Sequence, residues 1–140
     1  MEDNTTQLKA ISANVGKNVY SFDKPNKALI ECFVTPPSAA RSSLVITVET
    51  SEFTCLCPIT GQPDWATISV QYQPAKYCLE SKSFKLYLMG YRNLGAFHEA
   101  VVTMIGNDLV SALDPKWLTA KGEFSARGGI SFQPQFMYRA

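Results

Sequence analysis

The stretch Glu80–Arg92, which reads ESKSFKLYLMGYR, decides the fold because the apolar periodicity of the chain changes there from strand-like to helical. Its apolar residues recur at helical spacing: Phe84, Tyr87, Leu88 and Tyr91. Lys82, Lys85 and Arg92 fall on a different stripe of the same helix. The pattern therefore predicts an amphipathic helix over Glu80–Arg92.

A second helical pattern follows the Asn93-Leu94-Gly95 interruption. Its apolar positions are Phe97, Val101, Met104, Ile105, Leu109 and Ala112. Asp114-Pro115 ends the pattern, because proline cannot continue a helix. Since the connection between the two patterns is short, we expect an antiparallel helical hairpin.

Strand-like segments lie on both sides of the helices. The apolar run Leu29–Val34 and the alternating run Leu44–Glu49 predict two paired strands, and Ile68–Tyr72 predicts a third. The tail Trp117–Tyr138 returns to strand chemistry, with a turn at Arg127-Gly128-Gly129.

The order of strands, two helices and strands predicts an α+β fold, with an antiparallel sheet carrying the two helices on one face. We expect one domain over residues 1–140, in which residues 1–26 form a polar N-terminal arm. A small sheet leaves edge strands that are often closed by other subunits, which favours a homo-oligomer.

Composition excludes several classes of protein. The 140 residues are 46% hydrophobic and 18% charged, and the net charge of +1 does not favour direct nucleic-acid binding. The N-terminal residues lack the pattern of a secretory signal, and no run approaches the roughly 18 apolar residues of a membrane span. We therefore expect a soluble, cytoplasmic protein with no membrane partner.

The four cysteines are Cys32, Cys55, Cys57 and Cys78. Their spacing matches no compact secreted scaffold, so we expect reduced thiols. A zinc site is disfavoured, because Cys55-x-Cys57 is closer than the usual ligand spacing and His98 is the single histidine. We expect no metal, and interpret Cys55 and Cys78 as structural.

Cys57 and Asp64 flank a loop rich in proline and glycine and are candidates for a nucleophile and a proton donor. The thiol needs a neighbouring base or positive field to ionise at neutral pH. The Asp64 carboxyl, next to Trp65, could be partly desolvated and keep a proton for donation. The alternatives are a buried structural thiol and a turn-forming aspartate.

Two acids, a hydroxyl and the histidine stand at predicted helix starts: Glu80, Ser81, His98 and Glu99. Helix capping explains such residues equally well. A glutamate carboxylate and a histidine could instead bind the donor and acceptor edge of a purine-like ring.

Lys82 and Lys85 share a helix face, and Arg127 precedes two glycines. These cations could hold phosphate groups, although most such charges are solvated surface. The chain has no Gly-x-Gly-x-x-Gly run, so a dinucleotide would have to bind in another way than in a Rossmann fold.

These motifs together resemble the NADPH-dependent 7-cyano-7-deazaguanine reductases, the single-module nitrile reductases of queuosine biosynthesis. The resemblance covers roughly Leu29 to Phe132 and rests on four groups of residues: Glu80–Tyr87, Cys57-Pro58 with Gln62–Asp64, Phe97–Glu99, and Arg127–Ile130. It implies a tunnelling fold, related to GTP cyclohydrolase I, that assembles into a multi-subunit barrel, commonly two stacked pentamers with sites between subunits.

The resemblance also implies roles for individual residues. Cys57 would attack the nitrile carbon to form a covalent thioimide, and Asp64 would donate the proton. Five residues would bind the deazaguanine: Leu79, Glu80, Ser81, His98 and Glu99. Lys82, Lys85 and Arg127 would face the phosphates of NADPH, which serves as a co-substrate.

Two other functions stay open. One is a cyclohydrolase-like hydrolase of a purine or pterin, which stoichiometric zinc would favour. The other is a purine-binding oligomer without catalysis, for which replacing Cys57 would change nothing measurable.

Overall fold

The computed structural model describes Phe22, residues 24–41 and residues 43–140. Most of the predicted N-terminal arm, residues 1–21 and 23, lies outside the described residues. Within those ranges, no helix has the length and apolar character needed to cross a membrane.

The described residues form seven strands and two α-helices, with short 3₁₀ helices at Lys27–Leu29 and Pro37–Arg41. In order they are β1 (Cys32–Val34), β2 (Ile46–Leu56), β3 (Pro63–Gln73), β4 (Tyr77–Leu79), α1 (Ser81–Met89), α2 (His98–Leu113), β5 (Trp117–Arg127), β6 (Ile130–Phe132) and β7 (Gln135–Arg139). The main antiparallel sheet has the order β2-β3-β5, and β6 and β7 pair with successive parts of the outer edge of β5. The α+β class and the antiparallel sheet are therefore confirmed.

The core lies on one face of this sheet. Alternate residues of β3, such as Ile68, Val70 and Tyr72, are buried under both helices, while the residues between them are more exposed. The hydroxyl of Tyr87 in α1 donates a hydrogen bond of 2.7 Å to Asp108 in α2, so the helices are in contact. Both helices thus cover the same face, as predicted, and their antiparallel arrangement stays a prediction.

The predicted pairing of Leu29–Val34 with Leu44–Glu49 is wrong. β1 pairs instead with β4, and β2 pairs with β3. The reason lies in the connection, where a 3₁₀ helix at Pro37–Arg41 turns the chain away after β1. A proline cannot donate to a sheet ladder, so the strand ends there.

Helix α1 is shorter than the predicted Glu80–Arg92. Glu80 is its N-cap, and the helix ends before Gly90. Gly90 is buried against Pro25, and a Cβ at this position would clash with the Pro25 backbone. The close approach of the described end of the N-terminal arm therefore requires glycine here and coincides with the end of the helix.

A short bridge fixes the start of α2 beside the end of β2. The Leu56 amide donates to Leu94 O at 2.9 Å, and the Ala96 amide donates to Leu56 O at 3.1 Å. Leu56 and Gly95 thereby form a parallel bridge. His98, the first residue of α2, lies three positions after Gly95, so it is held next to Cys57, the residue that follows β2.

Gly106 in α2 sets the distance between this helix and β7. A Cβ on Gly106 would fall inside the ring of Phe136, so Gly106→Ala must displace that ring. We expect a net loss of about 1–2 kcal/mol, since overpacking costs about 1–3 kcal/mol and alanine regains up to about 1 kcal/mol of helix propensity. Urea unfolding at a fixed protein concentration measures this change in the free energy of unfolding.

Thr103→Ala is the matched control, because Thr103 is an exposed position on the same helix. It should stay within about 0.5 kcal/mol of the parent. If Gly106→Ala were as stable as this control, the close packing of α2 on β7 would not constrain the fold.

Candidate active site

The β2–β3 hairpin brings Cys57 and Asp64 together. Leu56 pairs with Pro63 and Cys55 with Asp64, while the Cys57 amide donates to Gln62 O at 2.8 Å and closes the loop. Residues two apart on a strand share a face, so Cys57 and Asp64 are diagonal neighbours on the core side. Asp64 therefore lies in a strand, and the predicted turn-forming position is wrong.

The sulfur of Cys57 lies among hydrogen-bond donors. Cys57 is 8% exposed, and the donors that act on its sulfur are the Thr60 hydroxyl, the backbone amides of Thr60 and Ile59, and the Arg127 guanidinium. These donors stabilise the thiolate and lower the pKa of Cys57 to about 6. The field that a nucleophilic cysteine requires is thus supplied by its own loop and by Arg127.

Asp64 is 5% exposed and has a partner on each carboxyl oxygen. His98 Nε2 lies 2.9 Å from Oδ2, and Arg127 Nε lies 3.3 Å from Oδ1. Trp65 is 52% exposed and points to the other face of β3, so the predicted shielding of Asp64 by Trp65 is wrong. The buried carboxyl is instead compensated by a histidine and an arginine from other elements.

His98 is the first residue of α2 and is almost completely buried. Its ring stacks on Phe124 with centroids 3.7 Å apart and an interplanar angle of 6°, and Phe132 contacts it at a tilt. Stacking fixes the orientation of the ring, and the Leu56–Gly95 bridge fixes the backbone just before His98. Together they direct Nε2 toward Asp64. The buried His98 ring therefore belongs both to the core and to the site, where it pairs with Asp64.

These side chains open into a pocket of about 390 Å³. Its lining residues are Cys57, Pro58, Asp64, Ala96, Phe97, His98, Glu99, Ser125, Arg127, Ile130 and Phe132. Ligand pockets are commonly of this size, largely apolar with a few convergent polar groups. The pocket therefore suits a flat heterocycle whose reactive group reaches Cys57.

Five of the predicted site residues meet at this pocket: Cys57, Asp64, His98, Glu99 and Arg127. The other five do not line it: Leu79, Glu80, Ser81, Lys82 and Lys85. Ser81 and Lys85 line a separate groove of about 810 Å³ between β2 and α1. Within one chain, the predicted site residues therefore lie in two separate places, one at the pocket and one around the start of α1.

Glu80 acts as a helix cap in this chain. Its two carboxylate oxygens accept from the amides of Lys82 and Ser83 at 2.9 and 2.7 Å. The neighbouring Leu79 amide donates to the Tyr72 hydroxyl at 2.8 Å. The capping interpretation of Glu80 is therefore confirmed. Each carboxylate oxygen keeps a second lone pair, directed away from α1, that can accept a further hydrogen bond.

Several residues that support the site were not predicted. Thr60 lies three positions after Cys57, a spacing at which a turn brings a hydroxyl back toward the first residue of the turn. The contribution of Thr60 to the site could therefore have been predicted from the sequence. Phe124 and Phe132 lie far along the chain, and only the sheet register brings them to His98. The Arg127 contact with Asp64 likewise depends on tertiary structure.

Among residues 22–140, as far as the structure describes them, no group of three or more His, Cys, Asp and Glu side chains could hold a metal ion. The four cysteines are unpaired, and Cys55 and Cys78 are buried. Burial raises the pKa of Cys55 to about 12. The thiols of Cys55 and Cys57, two positions apart in sequence, therefore have pKa values shifted in opposite directions.

Comparison with known proteins places these features in a family. A family model described as QueF-like protein matches residues 63–140. The NADPH-dependent 7-cyano-7-deazaguanine reductase of Helicobacter pylori (strain Shi470) is 45% identical over 96% of this chain and 88% of its own length. The Anaeromyxobacter sp. (strain K) protein of the same name is 58% identical over 61% of this chain and 70% of its own length.

A solved structure has a similar fold. The archaeosine synthase QueF-Like in the apo form matches with a TM-score of 0.64 and 22% sequence identity, covering 69% of this chain and 95% of its own. At that identity the likeness concerns the fold alone. The family model, which matches more than half of the chain, and the relative from Helicobacter pylori together show that the chain belongs to the QueF-like family.

Proposed function

We propose that this protein is an NADPH-dependent 7-cyano-7-deazaguanine reductase, which converts the nitrile to an aminomethyl group in queuosine biosynthesis. The observation that carries the proposal is an ionisable cysteine beside a buried Asp64–His98 pair. Relatives that match nearly the whole chain bear this activity in their names. The chemistry needs such a cluster, because a nitrile is a poor acceptor of hydride.

Cys57 is the nucleophile in this proposal. Its thiolate adds to the nitrile carbon, the new C–S bond forms as one C–N π bond breaks, and the nitrile nitrogen takes a proton to give a thioimide. Covalent catalysis of this kind replaces one difficult step by easier ones. With the pKa of Cys57 lowered to about 6, most of the sulfur is thiolate at neutral pH.

The Asp64–His98 pair supplies the proton. A 2.9 Å hydrogen bond between a carboxyl oxygen and a ring nitrogen requires a proton between the two groups. Because the pair is buried beside the thiolate, that proton can pass to the nitrile nitrogen through Asp64.

The heterocycle lies against the apolar wall in our proposal. Phe97 and Phe132 line the pocket and expose part of their rings, and Glu99 adds a carboxylate at the same edge. A carboxylate accepts from the N–H edge of a guanine-like ring. His98, already bound to Asp64, contributes by its position next to the reacting nitrile.

A neighbouring subunit completes the site. We propose that the corner between β4 and α1, with Leu79, Glu80 and Ser81, reaches the pocket of another chain in a homo-oligomer of two stacked pentamers. Ile130, which lines the pocket, is 71% exposed, which suits burial against a partner. β2, at an edge of the sheet, offers a strand for intersubunit pairing into a barrel.

The cations for the co-substrate are Lys82, Lys85 and Arg127. Both lysines are exposed on α1, and half of the Arg127 side chain is exposed at the pocket, so all three can meet phosphate groups. Two NADPH molecules, bound in turn, would each supply one of the two hydrides that the conversion of a nitrile to an amine requires. The two protons would come from the Asp64–His98 pair and from solvent, and the C–S bond would break after the first hydride transfer to return the Cys57 thiolate. Because the activity needs a reduced Cys57, we place the protein in a reducing compartment, the cytoplasm.

The first prediction concerns turnover. Adding 7-cyano-7-deazaguanine to the protein with NADPH and dithiothreitol should consume about two NADPH per nitrile, because the thioimide route uses two hydrides. Cys57→Ala should consume none above background. The loss of NADPH absorbance measures both.

Cys78→Ala is the matched control, since Cys78 is buried outside the pocket. It should retain turnover. NADPH consumption by Cys57→Ala at the parent rate would contradict the nucleophile. No consumption by any of the three proteins would favour the hydrolase or the binding protein.

The second prediction separates the proton donor from the nucleophile. Asp64→Asn should lower turnover by about 100-fold or more, the usual range for loss of a general acid, while Cys57 still reacts with iodoacetamide. Asp114→Asn is the control, because Asp114 is exposed at the end of α2 with φ of 45°, a conformation that asparagine tolerates. Equal turnover in the two variants would exclude Asp64 as the donor.

A further inference from the structure

Arg127 occupies an unusual position between the two reacting groups. It is the last residue of β5, beyond a register irregularity that follows Phe124, and Gly128 and Gly129 turn the chain behind it with φ of 58° and 77°. This turn directs the guanidinium back to the hairpin of Cys57 and Asp64. The two positive φ values suit glycine and disfavour other residues.

The contacts of Arg127 reach both members of the pair. Nε lies 3.3 Å from Asp64 Oδ1, and the side chain lines the same pocket as Cys57, where its positive charge helps to lower the pKa of the thiol. A guanidinium is planar and carries five N–H donors in a fixed fork, so it can hold two acceptors at a set separation. An ammonium group has no such geometry.

The charge balance around Cys57 depends on this residue. The groups that face the sulfur or its partners are Asp64 from β3, Cys55 from β2, His98 and Glu99 from α2, and Arg127 from β5. Arg127 is the permanent cation among them, while Asp64 and Glu99 carry carboxyl groups. Without it, a thiolate would form beside a buried carboxylate with only the Asp64–His98 proton to compensate.

We propose that Arg127 is a positioning residue for the addition step: its guanidinium holds the Cys57 sulfur and the Asp64 carboxyl in register for attack on the nitrile and protonation of its nitrogen. This role is additional to any contact with co-substrate phosphate, for which half of the side chain stays exposed. The proposal rests on the reductase function, since it assigns a role within that reaction. A positioning role accounts for the contact between Arg127 and Asp64, which phosphate binding alone would not require.

The test is the pH dependence of Cys57 alkylation by iodoacetamide, measured without substrate or NADPH. In the parent protein the rate should be half-maximal near pH 6, because only the thiolate reacts and the pKa of Cys57 is about 6. Burial raises the pKa of Cys32 to about 11 and that of Cys55 to about 12, so their background is small, and Cys57→Ala gives the blank.

Arg127→Gln should move the half-maximal pH upward by about one unit, which corresponds to a roughly five- to tenfold slower reaction at pH 6. It should also lower kcat. Arg127→Lys should restore part of the alkylation profile through its charge but not kcat, because lysine lacks the fork. Since Arg127 also pairs with the buried Asp64 carboxyl, circular dichroism checks the fold of each variant, and Arg127→Lys, which keeps the charge, tests the role if Arg127→Gln does not fold.

Lys82→Gln is the matched control, because it removes an exposed cation proposed for the co-substrate. It should raise the KM for NADPH and leave the alkylation profile as in the parent. If Arg127→Gln behaved in the same way as Lys82→Gln, the positioning role would be overturned. Since alkylation needs no nitrile, this outcome is independent of whether the chain reduces one.

Discussion

The register of the β2–β3 hairpin is the constraint on which the site depends. Pairing of Leu56 with Pro63 and of Cys55 with Asp64 leaves a loop of six residues, closed by the bond from the Cys57 amide to Gln62. A slip of one residue would turn Asp64 to the opposite face of the sheet, away from the thiol. The pocket, the low pKa of Cys57 and the approach of His98 all follow from this register.

Burial of the Asp64 carboxyl adds a second requirement. A carboxyl group that is 5% exposed must be hydrogen-bonded or paired, and breaking a buried pair typically costs several kcal/mol. His98 comes from α2 and Arg127 from β5, so two distant parts of the chain must dock correctly for the carboxyl to be satisfied. The same contacts that make the site reactive therefore also select the correct arrangement of α2 and β5 on the hairpin.

The sequence allowed the elements with clear periodicity to be predicted. Both helices, the strand at Ile68–Tyr72 and the strand tail were found because each pattern was long enough to show its period. The pairing of the first strands could not be predicted, because β1 has only three residues and its partner β4 lies more than forty positions away. Short strands carry no register information of their own, and the pairing is decided by tertiary packing.

The site shows the same division. Cys57, Asp64, His98, Glu99 and Arg127 were predicted by residue type and motif, and they do meet at one pocket. Their partners were not predictable, because the His98–Asp64 and Arg127–Asp64 contacts join residues 34 and 63 positions apart. Glu80 lies apart from that pocket because its carboxylate caps α1, a contact that its place at the start of the helical pattern also allowed.

The most direct test of the account is the intact mass of the protein after mixing with 7-cyano-7-deazaguanine in the absence of NADPH. We predict a mass increase of one substrate molecule per chain in the parent protein and in Cys78→Ala, and none in Cys57→Ala. The adduct should form more slowly as the pH falls below about 6, because the thiol becomes protonated there. An unmodified parent protein, or an adduct that persists in Cys57→Ala, would contradict the central claim that Cys57 is the nucleophile.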